Sequence, residues 1–183
     1  MAKIQIKTVV LCAFCCALTC ILSMISIPIQ PIPITMATVA VYISGVIMGP
    51  KYGALSQLVY LILVLVGLPF TSKLVGGVAV FVGPTAGFLI GYVPMASVIG
   101  LVYCYFKNKF DKNSTKIFGL VLAMILGTFV CYLCGLLWYM IYSSVDIYSA
   151  FVVCVLPFLI GDAIKIAFVA VFAPKLEKIL KLG

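Results

Sequence analysis

Two charged side chains stand in a stretch where few are expected. The segment Pro157-Phe-Leu-Ile-Gly161-Asp162-Ala-Ile-Lys165 carries an acid and a base three positions apart among apolar neighbours. On a helix that spacing puts both on one face. A lone charge near the middle of a bilayer costs about 2.5–3.5 kcal/mol on insertion scales, so such residues are functional candidates by default. Two roles stay open for the pair. It binds the polar head of a ligand while remaining neutral overall, or it is a mutually neutralised lock between helices. Pro157 and Gly161 are expected to interrupt the helix just before the pair and free backbone carbonyls for a ligand. Asp162 and Lys165 are also the only intramembrane acid–base pair that a membrane enzyme here could use.

A second chemically suggestive region runs from Gly67 to Gly87 and includes Lys73, Gly83-Pro84-Thr85 and Gly87. It is too apolar for a water-facing loop and too rich in glycine for a stable span. Either it folds back over the helix ends as a lid or re-entrant turn, or it is an interfacial loop. Lys73 is its one basic residue, and a carboxylate-bearing solute arriving from outside would meet it first. Beyond Pro84, at a helix start, Gly83, Gly87 and Gly91 recur at every fourth position. Such a stripe serves close helix packing, or it leaves room for a planar ring with Phe88 and Tyr92 as walls. Trp138, Tyr139 and Tyr142 fit an aromatic belt, and Trp138 alternatively lines a pocket.

The elements that must position these residues are membrane helices. The chain has 183 residues, 66% of them hydrophobic and 9% charged, with a mean hydropathy of +1.35. A soluble domain runs near half apolar and a quarter charged, so this surface cannot be hidden in a globular core. Six spans are predicted, over residues 8–27, 36–48, 52–66, 85–106, 117–142 and 149–173. The second and third are short and separated only by Gly49-Pro50-Lys51, a tight turn at one membrane face. The spans fill most of residues 1–183, which makes one all-α transmembrane domain with a long outer loop between the third and fourth helices. With both termini inside, the inner segments hold Lys3, Lys7, Lys51, Lys107, Lys109, Lys112, Lys116, Lys175, Lys178 and Lys181, against Lys73 alone outside. This positive-inside bias predicts an N-in, C-in topology. The net charge of +8 is then an orientation signal and not a nucleic-acid footprint, since no basic patch is interleaved with aromatics.

Several chemistries drop out. There is no His and no Arg, which removes His-based acid–base catalysis, His metal sites and an arginine finger. Cys12-x-x-Cys15 and Cys131-x-x-Cys134 have the spacing of redox or zinc pairs. Thiolates in hydrocarbon, without His and with few carboxylates, make poor zinc ligands, so the eight cysteines read as packing residues and no metal is expected. No G-x-x-x-x-G-K-[ST] loop and no G-x-G-x-x-G turn is present, so ATP-driven work would fall to another subunit. The apolar run after Lys7 is too long for a signal h-region and lacks an A-x-A site, and is read as a retained helix. The end of the chain, Pro174-Lys-Leu-Glu-Lys-Ile-Leu-Lys, is expected to be a short amphipathic segment lying along the inner headgroups.

Pro28-Ile-Gln-Pro31-Ile-Pro33-Ile-Thr35, Gly49-Pro50-Lys-Tyr-Gly53-Ala-Leu-Ser56-Gln, Gly67-Leu-Pro69, Gly83-Pro84-Thr85-Ala-Gly87-Phe and Pro157-Phe-Leu-Ile-Gly161-Asp162-Ala-Ile-Lys165 occur in this order. Together they resemble the BioY family, the biotin-specific substrate-binding (S) components of energy-coupling-factor transporters. The resemblance covers residues 5–175. Where that family commonly carries Gln and Gly, this chain carries Ala37 and Ala86.

The resemblance implies a six-helix S-component bundle in the plasma membrane. Its outward-opening biotin pocket would lie between the outer ends of spans four to six, under the loops after spans one and three. It implies a transmembrane coupling (T) subunit and two cytosolic ATPases as partners, ATP used only by those partners, and no cofactor or bond chemistry on this chain. Ala13-x-x-x-Ala17 matches the small-residue motif such components present to the coupling subunit. Asp162 would accept from the ureido N–H groups of biotin, and Lys165 would donate to its carbonyl or hold its carboxylate. Lys73 is a candidate for the tail, Thr85, Gly87, Phe88 and Tyr92 for the wall, and Trp138 for the lining. An S component for another vitamin, a stand-alone facilitator and a non-transport assembly subunit are the rival readings.

Overall fold

The computed structural model describes residues 6–110 and 112–182, the side chains of 113 and 178–182 excepted. Lys3 and the side chains of Lys178 and Lys181, counted above as inner lysines, lie outside the described residues. The elements are α1 (Ile6–Met24), β1 (Ser26–Ile27), β2 (Ile34–Thr35), α2 (Ala37–Leu65), α3 (Val78–Phe81), α4 (Ala86–Lys109), α5 (Asn113–Ser143), α6 (Ile147–Cys154) and α7 (Leu156–Leu182). Five helices, α1, α2, α4, α5 and α7, are long and apolar enough to cross a membrane. Their outward faces carry large apolar side chains such as Val10, Ile62, Phe129 and Ile164, as hydrocarbon solvent requires.

The predicted second and third spans fall within α2, which doubles back at its middle. Gly49 takes φ 73° and ψ −174°, a conformation open to glycine at no steric cost, and Pro50 follows it. The arms 37–48 and 50–65 then lie side by side. Gln57 Nε2 donates to Ser44 Oγ at 3.0 Å across the turn, and a Cβ on Gly53 would sit 3.0 Å from the Ser44 carbonyl oxygen. A straight helix would separate Ser44 from Gln57 by about 20 Å at 1.5 Å per residue.

The predicted sixth span, 149–173, is instead two helices. The break comes at Val155 (φ −121°, ψ −51°), and Asp146 caps α6 by accepting from the Tyr148 and Ser149 N–H groups. Hydrogen bonds from the Ser149 hydroxyl and N–H hold the exposed Asp146 carboxyl below the usual carboxylate range. The expected interruption at Pro157 and Gly161 is not there. Pro157 sits in the first turn of α7, where its missing N–H leaves no bond unmade, and α7 runs unbroken through Gly161. The separate amphipathic tail is also replaced, because α7 continues through Pro174 to Leu182. Tyr103 OH donates to Glu177 Oε2 at 2.8 Å and Lys107 pairs with the same carboxylate. Glu177, 7% exposed, is thereby held on α4.

α4 is the central helix, packed on α2 along one side and α5 along the other. Its glycines set the closeness. A Cβ on Gly100 would lie 2.3 Å from Pro50 N, and one on Gly87 would lie 2.5 Å from the Cys134 carbonyl oxygen. Gly91 likewise faces Cys131 and Cys134, so Gly87 and Gly91 of the stripe serve helix packing against α5. Between α1 and α2 the chain closes a loop, 28–33, through the antiparallel pairs Ser26↔Thr35 and Ile27↔Ile34. Gly100→Ala should destabilise the protein by about 1–3 kcal/mol through overpacking onto backbone that cannot yield. Gly83→Ala, whose new methyl would meet only ordinary contacts at 3.6 Å, should leave the melting temperature in detergent nearly unchanged.

Candidate functional site

A polar concavity opens at one end of the bundle, among the end of α1, the 28–35 loop, the start of α2, the 67–77 segment, and parts of α4, α5 and α7. It encloses about 680 Å³ of atom-free space, counting its open mouth. Ile32, Phe88, Leu89, Met95 and Phe158 supply apolar wall, and Thr35, Thr38, Tyr132, Asp162 and Lys165 supply polar groups.

The charged pair is at the centre of this polarity. Asp162 and Lys165 are 4% and 6% exposed and form an ion pair of 2.8 Å. The ammonium has three N–H donors, and all three are engaged. Lys165 Nζ donates to the Thr35 carbonyl oxygen at 2.7 Å, to Thr38 Oγ1 at 3.1 Å and to Asp162 Oδ1. Tyr132 OH donates to the other carboxylate oxygen, Asp162 Oδ2. Both charges are therefore neutralised and hydrogen-bonded within the apolar bundle, the condition under which burial is tolerated. A carboxylate offers about four acceptor sites, so Asp162 keeps room for further donors. Thr38, which accepts from Lys165, keeps its own O–H to give. Ligand head and helix lock, the two roles left open by the sequence, are compatible in one cluster.

The Gly67–Gly87 region folds over the helix ends. Ser23 Oγ and Tyr60 OH both donate to the Phe70 carbonyl oxygen, at 2.6 Å and 2.9 Å, and Ser26 Oγ reaches the Ser72 carbonyl oxygen at 3.3 Å. Thr71 and Ser72 thus become part of the cavity wall.

Of the residues singled out in the sequence, Asp162, Lys165, Thr85, Phe88 and Tyr92 line the cavity. Phe88 stacks on Phe158 with ring centroids 6.1 Å apart, and Tyr92 lies 6.4 Å from Tyr60. Three others lie outside the lining. Gly87 is spent on the approach to α5. Lys73 is exposed, one residue beyond Ser72. Trp138 is half-buried and donates from Nε1 to the Gly83 carbonyl oxygen at 2.9 Å, which fixes the entry to α4 just before Thr85. Ala37 and Ala86 are fully buried, and neither methyl belongs to the lining. Ala13 and Ala17 are exposed on α1; a separate, wholly apolar groove beside Ala13 also involves Cys12, Tyr52, Leu55 and Val59. Among the described residues no three His, Cys, Asp or Glu side chains are grouped to hold a metal.

Sequence reading missed Thr35, Thr38 and Tyr132, the partners of the pair. The three-residue step from Thr35 to Thr38 at a helix start was a readable signal. Tyr132, one aromatic among many on α5, carried none.

The BioY family matches this chain continuously over residues 1–182. The chain belongs to the BioY family. A probable biotin transporter BioY of Pyrococcus horikoshii is 33% identical over 171 residues, 93% of this chain and 96% of that protein. A biotin transporter BioY of Thermotoga maritima is 34% identical over 155 residues, 85% of this chain and 86% of the relative. Among solved structures, the S-component for biotin from an ECF-type ABC transporter superimposes with a TM-score of 0.86 at 30% identity. That match covers 97% of this chain and 94% of the other. The fold is that of an S component, and the chain is an integral membrane protein.

Removing one member of the pair leaves the other buried and unmatched. Lys165→Met should therefore cost about 3–5 kcal/mol of stability. Asp162→Asn combined with Lys165→Met should recover most of that loss, as read by thermal unfolding in detergent and the resulting double-mutant cycle.

Proposed function

We propose that this chain is the biotin-binding S component of an energy-coupling-factor transporter, capturing biotin from outside the plasma membrane and catalysing no bond chemistry. The observation that carries the reading is the neutral Asp162–Lys165 pair facing a cavity with apolar walls, in a chain of the BioY family. Biotin has a ureido head with two N–H donors and one carbonyl, an apolar bicyclic body and an acidic tail. Asp162 accepts from the ureido N–H groups, and the ureido carbonyl takes its donor from the Thr38 hydroxyl, which Lys165 holds in place. The reverse orientation would press the tail carboxylate against Asp162, whose charge already neutralises Lys165. Like charges at that separation repel strongly in a low-dielectric site. Phe88 and Tyr92 flank the body, Thr85 stands beyond them at the entry to α4, and Trp138 acts on the site through Gly83.

The proposed topology has six crossings: α1, the two arms of α2, α4, α5 and α7. Lys51, Lys107, Lys109, Lys112, Lys116 and Lys175 belong to the bundle end opposite the cavity, and Lys73 to the cavity end. By the positive-inside rule the termini are cytoplasmic and the cavity faces out. Energy comes from two cytosolic ATPases through a transmembrane coupling subunit. Ala13 and Ala17, exposed on α1, let a helix of that subunit approach closely.

Calorimetric titration of the purified protein should show one biotin per chain. Asp162→Ala and Lys165→Ala should each weaken binding by about 100-fold or more, the first because the ligand's N–H donors lose their acceptor and the second because Asp162 and Thr38 lose the group that positions them. A panel of other vitamins should bind far more weakly. Variants that remain folded and keep full biotin affinity would remove these two residues from the site. Ala17→Leu should leave biotin affinity intact and abolish uptake in cells that supply the partner subunits.

A further inference from the structure

The cavity lining carries one charged cluster, Asp162–Lys165, and a separate set of neutral hydroxyls. Lys165 is the one cationic side chain among the lining residues, and its three donors are engaged by Thr35, Thr38 and Asp162. The chain has no Arg and no His to supply another cation. Lys73 is exposed and outside the lining. The ends of α1 and α2, the 67–77 segment and the entry to α4 contribute neutral hydroxyls: Ser23, Tyr60, Thr71, Ser72 and Thr85.

Those hydroxyls divide by what they already do. Ser23 and Tyr60 give their protons to the Phe70 carbonyl oxygen, and Thr71 gives its proton to the Val75 carbonyl oxygen at 2.6 Å. The side chains of Ser72 and Thr85 make no hydrogen bond within the described residues, so each has a donor and its lone pairs to offer. A hydroxyl both donates and accepts, and rotates to suit either partner. It serves a carboxylate, a primary amide and an alcohol alike, whereas a buried ammonium would favour the carboxylate alone.

Resting on the biotin reading above, we infer that the site reads the ligand's cyclic urea head strictly and its tail end by neutral hydroxyls, chiefly Ser72 and Thr85. The ligand class is then a cyclic urea on an apolar body with a short polar tail of either zero or negative charge. An uncharged tail is accepted because no desolvated cation is left unpaired when the carboxylate is absent.

Calorimetry on the full chain in detergent, with biotin, its tail primary amide and a biotin methylated on both ureido nitrogens, tests this. The amide should bind within about 5-fold of biotin, and the methylated head should lose at least about 100-fold. Lys73→Met should leave the ratio of biotin to amide affinity unchanged. Ser72→Ala should weaken both ligands by a similar factor. An amide that binds about 100-fold worse than biotin overturns the inference and leaves the biotin reading intact. A biotin-to-amide ratio that collapses in Lys73→Met also overturns it and gives the tail to Lys73. Failure of biotin itself to bind overturns both readings, and is distinguished by the first titration.

Discussion

A lysine ammonium inside an apolar bundle must have every N–H satisfied, and the shape of the ligand end of this protein follows from how Lys165 meets that demand. Its three acceptors come from three places: the last residue of the β hairpin, the first turn of α2 and its own helix one turn back. Meeting them ties the 28–35 loop, the entry to α2 and the rotation of α7 to one point. Tyr132 brings α5 to the same point through Asp162. Because the polar groups are mutually satisfied, the surrounding elements can stand around them without collapsing onto a void or admitting an uncompensated charge.

The remaining architecture keeps that point open. Close packing is delegated to glycines away from the cavity, with Gly100 against Pro50 and Gly87 and Gly91 against α5. These contacts bring α4 into van der Waals register with both neighbours and leave its Thr85–Phe88–Tyr92 positions free to face inward. At the far end the Tyr103–Glu177–Lys107 cluster anchors α7 on α4. The helix carrying the charged pair is thus held at both ends, and the recognition groups enter the cavity from rigid elements.

Legibility of the site in the sequence followed rarity. Asp162 and Lys165 stood out because charge is expensive in a span, and the Gly67–Gly87 region because its composition suited neither water nor lipid. Thr35 and Thr38 were hidden by being ordinary residues at a helix entry, and Tyr132 by being one aromatic among many. Gly87 and Trp138 were singled out for the right neighbourhood and lie outside the lining. A glycine at helical spacing fits packing and ligand approach equally well, and only the position of the partner helix separates the two. Pro157 was expected to break a helix that in fact breaks at Val155, because a proline in the first turn costs no hydrogen bond.

Composition, helix-length apolar runs and the placement of lysines are properties of the chain measured against its solvent, so the sequence alone determined a membrane bundle, its candidate orientation and the two residues most costly to bury. The hairpin within α2, the continuation of α7 through Pro174 and the set of partners around Lys165 were decided by tertiary structure. Each depends on contacts between residues far apart in the chain, such as Lys165 with Thr35, Glu177 with Tyr103 and Gly100 with Pro50. No local periodicity encodes which distant backbone will lie within reach of a given donor or a missing Cβ.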